Sequence, residues 1–247
     1  GGASQDVASP APDSGATDRV SIADVEARLA DLSDDDDLAA SAYREAIARL
    51  ERAALAETRA EEAESAERGA ARRLETVREE LTEPAGIERP TIPPGATLAE
   101  LEQLESQAEA DLDAARVLLE ELQAEATRRQ ARSSRIPELI DSSRRRLQEI
   151  SDTLAAAAVE PADGSLAEAQ RMLLLAEQRE LTAEIGALSA EMASYEARRD
   201  LLPARRDLAQ RRVEEMTQLT AAWQEIVNAR RQADAQVTAR DAELLRR

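Results

Sequence analysis

No phenylalanine occurs anywhere in these 247 residues, and the aromatic complement is one tryptophan, Trp223, and two tyrosines, Tyr43 and Tyr195. A single compact core of this length normally buries many rings and branched side chains. Here alanine makes up about half of the 43% hydrophobic content. Alanine, leucine, glutamate and arginine in excess mark long helices and coiled coils. All are strong helix formers, so propensity and pattern agree. The expected fold class is therefore all-α: an elongated antiparallel bundle of long amphipathic, coiled-coil-like helices.

Charge removes several functions. Acidic residues outnumber basic ones 51 to 32, for a formal net charge of −19, and there is no histidine. Every basic residue is arginine. Such a surface is repelled by nucleic acid and by anionic membranes. Helical-bundle enzymes rely on histidine, reactive cysteine or a metal, and di-metal bundles need a Glu-x-x-His pair. Without histidine or cysteine the chain is not expected to be an enzyme, and neither catalytic residues nor a cofactor nor a metal site is assigned. The acidic run at residues 34–37 lacks the glycine and terminal glutamate of a calcium loop, and it suits the positive end of a helix dipole. No run of about 18 apolar residues occurs, so nothing in this sequence is expected to span a bilayer.

The chain divides readily. Gly1-Gly2 reads as a tag scar, and residues 1–17, rich in Ala, Ser, Pro and Asp, as a flexible N-terminal segment. Residues 18–247 read as one extended helical domain with helices at about 21–33, 36–82, 97–132, 135–158, 165–200 and 203–246. Ser21 with Asp24, Thr97 with Glu100 and Ser165 with Glu168 have capping-box spacing. Pro84, Gly86, Pro90, Pro93, Pro94 and Gly95 mark a loop that reverses the chain. Pro137, three residues after Ser134, suits a helix start. Leu174, Leu181, Leu188, Tyr195 and Leu202 recur every seven residues, and Pro203 predicts a break near residues 199–201. The final helix carries no cap at its end, which suggests that the native polypeptide continues.

The arginines carry the most functional information. Arg198, Arg205 and Arg212 repeat every seven residues, with Arg199 and Arg206 beside them, so one face of the last two helices is locally basic. Three uses are open: pairing with carboxylates of a neighbouring helix, contact with the acidic face of an adjacent subunit, and binding of lipid or cell-wall anions.

Three stretches together resemble the periplasmic N-terminal porin-type domain of large mechanosensitive channels of the small-conductance family, potassium-dependent branch. They are VEARLADL with YREAIARLERA (residues 25–32 and 43–53); LAELEQLESQAEADLDAARVLLEELQ with RIPELIDSSRRRLQEISDTL (98–123 and 135–154); and SLAEAQRMLLLAEQRELTAEIGAL through RRDLLPARRDLAQRRV to WQEIVNARR (165–231). Their order and separation match across most of the chain. The resemblance implies an extracytoplasmic rim in the periplasm of a Gram-negative bacterium, continued by inner-membrane spans outside this sequence into a homo-heptameric channel. Such a channel releases solutes on hypo-osmotic shock. The rim would not itself be a pore; it would modulate gating through other subunits of the same channel or envelope components. The rival reading is a free-standing coiled-coil scaffold or envelope adaptor.

Overall fold

The computed structural model describes residues 20–33, 36–84, 90–159 and 164–246. Six helices account for all regular structure among them: α1 (Ile22–Ala30), α2 (Asp37–Arg68), α3 (Ala70–Thr82), α4 (Leu98–Val159), α5 (Ser165–Ala197) and α6 (Leu201–Leu245). The N-terminal segment 1–17, two of the four acidic residues at 34–37, residues 85–89 of the proline-rich loop and the turn at Pro161 lie outside the described residues.

Contacts divide the chain into two units, one built from the described residues up to Ala63 together with Pro137–Glu191, the other from Glu64–Ile136 and Met192–Arg247. In the first unit, α1 starts at a complete capping box in which Ser21 and Asp24 bond reciprocally. It lays Val25 into a core formed with Ala39, Tyr43, Ala46 and Leu50 of α2 and Ala169 and Ala176 of α5. Small residues let these backbones approach closely, and Tyr43, 1% exposed, is the one large ring there. Charged side chains stitch the flanks. Arg28 reaches Glu168, Arg52 donates to Glu180 at 2.6 Å, and Arg59 reaches Glu184. Partner numbers rise together along α2 and α5, so these two helices run parallel.

In the second unit α4 and α6 run antiparallel. Leu101 and Ala108 pack with Trp223 and Val227, then Leu112 and Ala115 with Met216, then Leu122 with Leu202 and Ala209. The spacing of three and four along α4 is thus met by a matching stripe on α6. Thr220, buried midway, donates its hydroxyl to the Ala108 carbonyl at 3.1 Å. Helix α3 packs against α6. Before α4, the amide of Ala96 donates to the Pro93 carbonyl across a tight turn. Gly95 in that turn has φ 76°, the left-handed value a type II turn requires at its third position.

Two expected boundaries need correction. The span 36–82 is divided at Gly69, which lies between α2 and α3 with a helical φ, ψ pair and keeps backbone bonds to Ser65 and Arg73. Arg73 bridges the break by donating to the carbonyls of Gly69 and Ala66. The spans 97–132 and 135–158 are one helix, α4, which passes through Pro137. A mid-helix proline forfeits one backbone bond and crowds the preceding turn, at about 3 kcal/mol. Burial of Ile136 (0% exposed) and Ile140 (9%) on either side keeps the helix in register. Between α5 and α6 the break falls at residues 198–200, which places Pro203 in the first turn of α6, where a proline loses no helical bond. The third capping box does not form: Ser165 lies inside α5 and donates to Asp36 at 3.0 Å, while Glu168 bonds Arg28.

Candidate functional site

The break between α5 and α6 places the predicted arginines at a corner of the second unit. Arg198 and Arg199 sit in the break, and Arg205, Arg206 and Arg212 lie on the first turns of α6. Arg198 and Arg205 line one cleft, Arg198, Arg199 and Arg206 a second, and Arg205 and Arg212 a third. Arg199 pairs with its neighbours Glu196, at 2.9 Å, and Asp200. Arg212 lies near Glu215, at 3.7 Å, beside a cleft of about 600 Å³ that also holds Glu80 and Glu83. Arg205 and Arg206 make no ion pair among the described residues.

Arg198 turns inward. Its Nε donates to the Ser194 carbonyl at 3.1 Å, and its guanidinium lies over the Tyr195 ring, 5.8 Å from the centroid. Arg129 of α4 lies over the same ring at 5.8 Å and is ion-paired with Glu125. Burial lowers the Arg198 pKa from its ordinary value, and the nearby charges of Arg129 and Arg73 lower it further. Each of these causes disfavours its positive charge.

Two clefts open on this corner. One, of about 400 Å³, is lined by Arg73, Arg129, Arg198 and Arg205 with Val77, Leu201 and Leu202. The other, of about 350 Å³, shares Arg129, Arg198 and Leu202 and adds Tyr195, Arg199 and Arg206. Sequence spacing finds the members contributed by α5 and α6. It misses Arg73 and Arg129, because only the pairing of α3 and α4 with α6 brings them to the corner. No local signal separates those two from the other arginines on helix surfaces.

No group among the described residues gathers three or more potential metal ligands. None of the described helices is long and apolar enough to cross a membrane. The mechanosensitive ion channel porin domain family matches residues 21–247. The chain belongs to that family. The porin domain is therefore a helical, channel-associated module, and its match begins at Ser21, the residue that caps α1. No curated protein and no solved structure matches the chain.

Proposed function

We propose that this porin domain is the periplasmic part of an inner-membrane mechanosensitive channel of the potassium-dependent branch, which releases solutes on hypo-osmotic shock. It stands beside the conducting path and modulates gating through contacts with other subunits of a homo-heptamer and with envelope components. The observation that carries this reading is the family match over residues 21–247. The helical architecture supports it: apolar residues are used to pack helices on one another, and the outer faces are charged, as befits a module that works by contact. The exposed members of the basic run, Arg199, Arg205, Arg206 and Arg212, supply the contact to the acidic surface of a neighbouring subunit.

The test is an antibody raised against the domain and applied to fractionated membranes of the source cells. A band several times heavier than 26.9 kDa in the inner-membrane fraction is the expected result. A soluble band near that mass would overturn the reading.

A further inference from the structure

Carboxylates outnumber basic residues 51 to 32 in this chain, yet the two clefts flanking Leu202 are lined by arginine and by no acid. Two other clefts are mixed. The 600 Å³ cleft nearby sets Glu80, Glu83 and Glu215 against its arginines, and the large cleft of the first unit sets Asp31, Asp36 and Glu168 against Arg28 and Arg171. Arg129 and Arg198 are half-buried while Arg73 and Arg205 are exposed, and gathering guanidiniums, two of them partly desolvated, is unfavourable unless something neutralises them. Arg205 also borders the 600 Å³ cleft that holds Glu80, Glu83 and Glu215, but no ion pair joins it to them. Glu125 serves Arg129; Arg73 and Arg198 turn to backbone carbonyls, and Arg205 has no ion-pair partner among the described residues.

We propose that the cleft bounded by Arg73, Arg129, Arg198 and Arg205 binds a phosphate-class oxyanion. Guanidinium forks match the paired oxygens of a phosphate, so a multiply charged oxyanion engages several at once where a chloride engages one. Leu201, Leu202 and Val77 wall the cleft and thin the water around the half-buried Arg129 and Arg198, which strengthens contacts to those two. Leu201 and Leu202 also form the first turn of α6, whose N-cap residue, Asp200, makes no side-chain capping bond. This inference stands on the cleft and does not depend on the channel reading.

Isothermal titration of the full 247-residue chain with sodium pyrophosphate at low ionic strength tests it. Saturable one-to-one binding is expected. Arg205→Gln removes no existing ion pair and should leave the fold intact, yet weaken binding about tenfold. Arg144→Gln, on the part of α4 that belongs to the first unit, should bind as the parent does. Absence of saturable binding, equal weakening by both substitutions, or tighter binding of a poly-glutamate peptide than of pyrophosphate would each overturn the proposal. Flotation with phosphatidylglycerol vesicles distinguishes the source. Co-flotation lost in Arg205→Gln identifies a lipid headgroup, whereas pyrophosphate binding without flotation identifies a soluble phosphate.

Discussion

Arg146 of α4 grips Glu177 of α5 with two prongs, Nε to Oε1 at 2.8 Å and Nη2 to Oε2 at 3.3 Å, and Glu177 is only 8% exposed. Arg49 of α2 approaches the same carboxylate at 3.8 Å, so a nearly buried acid sits where three helices of the first unit meet. The hydrogen bonds that Arg146 donates to Glu177, and secondarily to Glu149, hold its pKa above the ordinary value.

Glu177→Gln keeps the volume and deletes the charge. Because the carboxylate end is the buried one, the substitution should lower stability by about 1–2 kcal/mol. The shift of the urea midpoint at constant slope measures it. An unchanged midpoint would mean that the pair only offsets its own desolvation.

The two capping boxes predict an acid response. Hydrogen bonds from Thr97 hold Glu100 below its ordinary 4.5, and those from Ser21 hold Asp24 below its ordinary 3.8. Each folded-state value is depressed, so each contribution is complete above the ordinary value and disappears as pH falls through the lower one. Thermal stability should decline on acidification below about pH 4.5. In Glu100→Gln that decline should be shallower; an identical acid profile would remove the box from the explanation. Thr97→Ala should cost about 1 kcal/mol at neutral pH.

Ser194 is fully buried and its hydroxyl has no hydrogen-bond partner among the described residues. Ser194→Ala removes an unpaired polar group and improves helix propensity. Melting should therefore show a gain of about 1 kcal/mol. A loss would reveal a partner for the hydroxyl.

Isolated copies should repel one another. With a net charge of −19 and seams made largely of alanine, the domain alone should scatter light as a monomer at micromolar concentration. A stable ring under those conditions would contradict this.

Helix content, the stripes of α4 and α6 and the break before Pro203 can be read from spacing, because each is a local consequence of residue type. Of the seven-residue series, Leu188 and Leu202 are buried, and Leu174, Leu181 and Tyr195 are half-buried. The path through Pro137 cannot be read this way. It depends on Ile136 and Ile140 finding buried positions, and local preference argues for a boundary. Likewise Arg198 and Arg205 announce themselves by their interval, whereas Arg73 and Arg129 join them only through tertiary pairing. The parallel course of α2 and α5 is equally silent in the sequence, since alanine seams carry no mark of direction.

The stitching of helix to helix by arginine and glutamate, as at Arg52 and Glu180, has a consequence for the medium. Guanidinium keeps its proton throughout the neutral range, so with neither histidine nor lysine the side chains pass through mild acid or base with their charges fixed. What alters their interactions is dilution. The screening length grows from about 8 Å at physiological salt to about 30 Å at 0.01 M. A fall in external salt therefore lengthens the reach of every charge on this surface, and the acidic domain is repelled most strongly by its own kind when its surroundings are most dilute.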